Sequence, residues 1–297
     1  MSSPASGTRR RCRLAIEEAL DDDLQQADDD GDNPDASQAG DVAAVPNESA
    51  DPDDLVRRKL PASILAKYEV YSYRNAALIL AETRKAEFDE LVEALESFSL
   101  TTTQIRMPGG NESEIPKTFN ASLRPKGWYE TVIRGDLVVT LTWKEEGSRV
   151  DRRGRTVATQ TPRSRQTLRE RFLDGHKIDY VKNRVAFDLE WNSKDQTFDR
   201  DLYAFSAFSQ CGVVDAAVLV TRSAELNAVF RTLGPALLKD GSIDGEGGKP
   251  KMLIHKYGAS TTWMGKLLYR LNAGRNGSCP VLALGIRPAC ISDWSES

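Results

Sequence analysis

Hydrophobic positions along this chain change period several times, and each change marks an element. Between Ala81 and Leu100, Phe88, Leu91, Val92, Leu95 and Phe98 recur at helical spacing. Asp136 to Trp143, DLVVTLTW, reads as a strand. From Val185 the period drops to two: Val185, Phe187 and Leu189 alternate with Ala186, Asp188 and Glu190, as in a strand with two distinct faces. Helical spacing returns with Leu202, Phe205 and Phe208. Thr197 or Asp199 is placed to cap that helix at its start, and Gly212 at its end. Val213 to Val220 is nearly all apolar, as expected of a strand buried on both faces. Met264, Leu267, Leu268 and Leu271 predict a last helix behind Ser260, Thr261 and Thr262, and Val281 to Ile286 a last strand.

The order helix, three strands, helix, strand, helix, strand predicts an α/β domain with a mixed central β-sheet flanked by helices. Its first strands should run antiparallel and its later ones parallel, joined by a right-handed crossover. Two stretches break the periodicity. MPGGNESEIPK at 107–117 reads as loop. Residues 145–170 hold Arg149, Arg152, Arg153, Arg155, Arg163 and Arg165 with little apolar content, and predict a mobile basic loop.

Residues 1–58 are rich in Asp, Ala, Ser, Pro and Gly and predict an acidic, mostly disordered tail, with at most a short helix near Leu14 to Leu24. Residues 59–297 form the expected folded domain. The first 60 residues carry 15 acidic and 7 basic side chains, a net of −8; the whole-chain charge of −4 therefore leaves +4 on the remainder. A mildly basic body is compatible with nucleic-acid binding, and the tail could mask it by mimicking DNA.

Composition excludes several classes. No apolar run approaches the length of a membrane span, and the N-terminal apolar stretch is too short and acidic for a secretion signal. The four cysteines are widely spaced, which fits a reduced cytoplasmic protein. His176 and His255 are the only histidines, too few for a histidine-based nuclease or a zinc hydrolase. Neither a GxSxG elbow nor a GxxxxGK[ST] loop occurs, and the Gly-rich DGEGGKP at 244–250 lacks the flanking elements of a phosphate loop.

What remains is acidic. Asp188 and Glu190 share one strand face, roughly 7 Å apart. With a turn at Lys182-Asn183, Asp179 stands opposite Ala186 and points to that same face. Crowded carboxylates repel unless a cation sits among them. Mg²⁺ suits such oxygen donors: Asp179 and Asp188 as direct ligands with the Leu189 carbonyl, and Glu190 to orient an attacking water. The ion would also neutralise charge building on a phosphate. The pattern D-x8-D-x-E alone fits a solvated strand face equally well. Asn192, Ser193 and Lys194 follow the strand directly, and Ser260, Thr261 and Thr262 sit at a helix start; both clusters suit contacts to DNA phosphates or base edges, and the second suits plain helix capping as well. Lys256 could contact phosphate or be solvated.

KIDYVKNRVAFDLEWNSKDQTFDRDLYAF, LRPKGW at 123–128 and KYGASTTWMGKLLYRL at 256–271 together resemble the BglII/BstYI-type type II restriction endonucleases, within the PD-(D/E)xK nuclease superfamily. The resemblance covers roughly residues 65–290. It implies a restriction-endonuclease-like core and a Mg²⁺-dependent endonuclease acting as a homodimer on double-stranded DNA, at a short, GATC-centred palindrome. It puts Asp179 and Asp188 as metal ligands and Glu190 at a third position that is commonly Lys in the wider superfamily. Asn192, Ser193 and residues 260–262 fall in its DNA-reading loops. A repair nuclease with the same core, a catalytically silent DNA-binding protein and a scaffold with an acidic surface strand are the alternatives.

Overall fold

A computed structural model of the chain describes residues 44–108, 114–245 and 247–295. The chain divides into two units, 1–41 and 42–297, of which the second is described. The acidic segment up to residue 43, with the short helix expected near Leu14 to Leu24, lies outside the described residues.

Helices α1 (Asp53–Lys59) and α2 (Ala62–Lys67) lead into strand β1 (Tyr68–Tyr73). Helices α3 (Ala76–Thr83), α4 (Lys85–Ser97), α5 (Thr102–Arg106) and α6 (Glu114–Leu123) follow. Strands β2 (Tyr129–Val150), β3 (Thr156–Lys182) and β4 (Val185–Leu189) come next, then α7 (Thr197–Gln210), β5 (Ala216–Arg222), α8 (Leu226–Leu233), α9 (Leu253–Lys256), α10 (Met264–Asn272) and β6 (Val281–Ile286). The described strands form one sheet in the order β1-β6-β5-β4-β3-β2. β4, β5 and β6 run parallel and the remaining pairs antiparallel, as the element order predicts.

Alternation along the strands sorts the core into two layers. Val185, Phe187, Val218, Val220, Leu282 and Leu284 pack towards α1–α6, with Phe88, Leu91 and Phe119. Ala186, Ala217, Leu219 and Ala283 pack on the other face against Phe198, Leu202, Phe205 and Phe208 of α7 and Leu267, Leu268 and Leu271 of α10. Asp188 and Ala186 have the same parity, so Asp188 stands under α7.

Several expectations are corrected. Order begins before residue 59: α1 buries Val56, and Ala50 bridges Tyr73, so residues 44–58 belong to the folded body. The β1 strand, YEVYSY, is an additional edge strand paired with β6. The segment 107–117 is only partly loop, because Glu114 opens α6 and Pro116 falls in its first turn, where a missing N–H costs nothing. Neither Thr197 nor Asp199 caps α7; Gln196 precedes it, and Asp199 instead accepts from Arg270 and Arg275.

The largest correction concerns 145–170, which is an ordered arm. β2 and β3 pair continuously from Leu137↔Arg169 to Val150↔Thr156 and leave the sheet as a two-stranded ribbon. Its tip is closed by Asp151, whose carboxylate accepts the Arg153 and Arg155 N–H groups, and by Gly154 at φ +78°. Both faces of the ribbon are exposed, so no apolar–polar alternation marked it. One face sets Leu137, Leu141 and Trp143 of β2 directly across from Arg169, Arg165 and Arg163 of β3.

Candidate active site

The hairpin that carries the acids is clamped at its turn. Tyr180↔Phe187, Val181↔Ala186 and Lys182↔Val185 are paired, so the turn is Asn183-Arg184, with Asn183 in the left-handed region at φ +49°. Continued by one residue, that register sets Asp179 level with Asp188 rather than Ala186, and the two carboxyls interact. That register differs by two residues from the expected one, which preserves the face. Lys182 forms an ion pair with Glu90 at 2.6 Å, and Glu90 also accepts from Trp128 Nε1 at 2.8 Å. Asn183 donates to Glu87, and Arg184 and Arg84 both hold Asp215.

On the α7 side of this hairpin four carboxyls converge. Asp188, Glu190 and Asp201 are buried, and Asp179 is half-buried at the edge. Burial first, then the charges of Asp201, Asp179 and Glu190, push the Asp188 carboxyl well above its ordinary range. Asp201 is pushed up to about 8, by burial and then by Glu190, against the opposing pull of Arg200. Its Oδ1 accepts from Arg200 at 3.1 Å, while Oδ2 has no donor within reach. The Asp201 and Glu190 carboxyls are close enough to hydrogen-bond once one of them carries a proton. Sequence reading missed Asp201. Its signal was position: it lies three residues after Phe198 and four before Phe205, on the buried stripe of α7, where an unexplained acid is costly.

The two polar clusters come together beside the acids. Lys194 bridges Thr261, Thr262 N–H donates to the Ser193 carbonyl at 2.9 Å, and Asp195 N–H to that of Ser260 at 2.9 Å. Beneath them lies Arg222, 1% exposed, which donates from Nε to the Trp191 carbonyl at 2.8 Å and from Nη2 to Thr261 Oγ1 at 2.5 Å. Burial brings its guanidinium down to about 10, and it lies over the Tyr257 ring. Ser260 and Lys194 are exposed and Ser193 half-buried. Asn192 is half-buried, with Oδ1 unpartnered, on the wall of a cavity of about 200 Å³ shared with Trp191 and Tyr257. Thr262 is wholly buried, which removes it from direct contact with DNA in this conformation. Lys256 is neither solvated nor free for phosphate: it donates to the Met107 carbonyl at 2.5 Å, and burial lowers it to about 8.

A scan of protein families matches residues 68–286 to the family described as restriction endonuclease BglII/BglIII. The match starts at the first residue of β1 and stops at the last residue of β6, which are themselves paired, so it embraces the whole sheet. The chain belongs to the BglII/BglIII restriction endonuclease family. Its mixed sheet flanked by helices is accordingly a restriction-endonuclease-like fold, and the family is one of site-specific, DNA-binding endonucleases that generally use a divalent metal. No curated protein matched the chain. Among the described residues, no helix is long and apolar enough to cross a membrane.

The donor set fits a hard divalent cation only in part. Among the described residues, no group of three His, Cys, Asp or Glu side chains is arranged so that it could hold a metal ion. Mg²⁺ does not require one, because it binds through one or two carboxylates and keeps several waters. The unpartnered Oδ2 of Asp201 and the elevated Asp188 mark a crowded carboxyl site for which Arg200, paired with Asp201 and Glu190, supplies only part of the counter-charge. Positive charge would restore the ionised forms.

Proposed function

We propose that this BglII/BglIII family member is a Mg²⁺-dependent type II endonuclease that hydrolyses double-stranded DNA at a short, GATC-centred palindrome as a homodimer. The observation that carries this reading is the convergence of Asp179, Asp188 and Glu190 under α7, next to paired loops that expose Lys194 and Ser260. In this reading Asp179 and Asp188, with the Leu189 carbonyl, hold Mg²⁺. When bound, the ion acidifies water and neutralises charge that develops on the phosphate. Glu190, in carboxylate form, accepts a hydrogen bond from the attacking water and orients it. Asp201 lies against Glu190 and keeps it in place.

Asn192, Ser193, Lys194 and Ser260 contact DNA, and Thr261 acts by holding the loop on Arg222. Phosphate contacts set the register of the protein and base contacts choose the sequence. A palindromic site would match the two-fold axis of a dimer. The arm supports DNA as the partner. Residues 134–174 contain 10 Lys or Arg and 6 Asp or Glu, a net of +4. Residues 61–297 also sum to +4, so the arm accounts for the entire basic excess of the body.

Digestion of plasmid DNA with the full chain and Mg²⁺, followed by sequencing of the cut ends, tests the reading. Discrete fragments sharing one GATC-centred end sequence are expected. A smear would point to a non-specific nuclease, and absence of cutting would remove the enzymatic reading.

A further inference from the structure

We propose that Arg200 is the cation that touches the scissile phosphate, supplying the positive charge that Glu190 cannot. The proposal rests on the endonuclease reading above. Arg200 stands in the first turn of α7, one residue before Asp201. Its Nε and Nη2 each lie 3.1 Å from Asp201 Oδ1, and Nη2 lies 3.5 Å from Glu190 Oε1. The guanidinium therefore leans on the two acids that neighbour the reaction position.

Exposure gives the arrangement a direction. The Arg200 side chain is 69% exposed, whereas those of Glu190 and Asp201 are 9% and 2% exposed. The cation forms the mouth of the acid cluster and the carboxyls its floor. Guanidinium carries five N–H donors in a planar fork. Those on Nε and Nη2 face Asp201, and among the described residues Nη1 has no hydrogen-bond partner. The fork can keep Asp201 on one edge and present the other to a non-bridging phosphate oxygen, a geometry suited to arginine.

A surface ion pair of no consequence is the plain alternative. Two features oppose it. Its partner Asp201 is a buried acid with an unpartnered oxygen, not a solvated one. Among the described residues, Arg200 is also the cation in ion-pair contact with the buried Glu190 carboxylate. Lys177 is the rival, because it too feels Asp179 and Asp188, but its ammonium is held by Glu130 at 2.8 Å.

The test uses the full-length protein and a duplex carrying the site that the plasmid digest defines. Arg200→Ala, Arg200→Gln, Arg200→Lys and Lys177→Gln are compared with wild type. Cleavage with Mg²⁺ is read under single-turnover conditions. Binding is read in EDTA to the normal duplex and to one with an uncharged methylphosphonate at the scissile position. Arg200→Ala and Arg200→Gln should cut about 10²–10³-fold more slowly, with Arg200→Lys in between. Wild type and Lys177→Gln should bind the methylphosphonate duplex at least fivefold more weakly than the normal one, roughly 1 kcal/mol. Arg200→Ala and Arg200→Gln should bind both duplexes alike.

Cleavage by Arg200→Ala within threefold of wild type would overturn the proposal. So would a methylphosphonate penalty that survives in Arg200→Ala, or one that vanishes in Lys177→Gln instead. The EDTA binding cycle reads Arg200 apart from catalysis. A wild type that neither cuts nor binds duplex DNA would instead overturn the endonuclease reading, and this proposal with it.

Discussion

Lys194 and Thr261 form an antiparallel bridge that ties the loop after β4 to the loop before α10. Two polar clusters distant in sequence thereby become one surface, and Arg222 pins it from below. Lysine at 222 could not span both acceptors, because it lacks the planar fork. Arg222→Lys should therefore lower stability by about 1–3 kcal/mol. It should also reduce the preference for specific over random duplex by at least tenfold. Thermal unfolding and competition binding check the two effects; an unchanged specificity ratio would show that the loops do not need the pin.

The acid cluster makes stability depend on pH. The ordinary value for Asp201 is 3.8 and its folded value is about 8. Between those limits the folded protein holds a proton that the unfolded chain has released, so stability falls as pH rises. Asp188 is displaced in the same direction. In EDTA the melting temperature should drop from pH 5 to pH 8 through these groups, and Asp201→Asn should flatten much of that drop. Mg²⁺ should raise the melting temperature more at pH 8 than at pH 5. A larger rise at pH 5 would contradict the carboxylate site.

In EDTA, Asp179→Ala should gain stability relative to wild type as pH rises, because it removes a charge that opposes ionisation of Asp188. It should also lose cleavage with Mg²⁺. Melting curves in EDTA check the first point; a sharp fall in melting temperature would show that Asp179 supports the fold.

The arm predicts a salt effect. Arg163, Arg165 and Arg169 lie on one exposed face of it. If all three meet phosphates, replacing them with Ala should reduce the slope of log affinity against log salt by up to about 2.7. Melting temperature should stay near that of wild type, since the three are solvent-exposed. An unchanged slope would remove the arm from the DNA interface.

The sequence made some of this legible and hid the rest for physical reasons. β4, α7, β5 and β6 were readable because burial on defined faces imposes a period, and the face of Asp179 survived a wrong turn position because a two-residue shift keeps parity. The arm was hidden because a ribbon exposed on both faces has no apolar period; its signal was the run of Thr, Val and Arg residues on either side of DRRG. Thr262 looked available because helix starts usually are, yet the bridge to Ser193 draws it inside. Asp201 was hidden because only the packing of α7 on the sheet brings it to Glu190, although its place on an apolar stripe marked it.

The central claim is that the carboxyls under α7 do the chemistry, and Asp188→Asn tests it most directly. Duplex DNA is incubated with the purified variant and Mg²⁺, and cleavage and binding are measured on the same preparation. The account predicts that cleavage falls by at least about 10³-fold, while affinity in EDTA stays within threefold of wild type. Full cleavage by Asp188→Asn would contradict it.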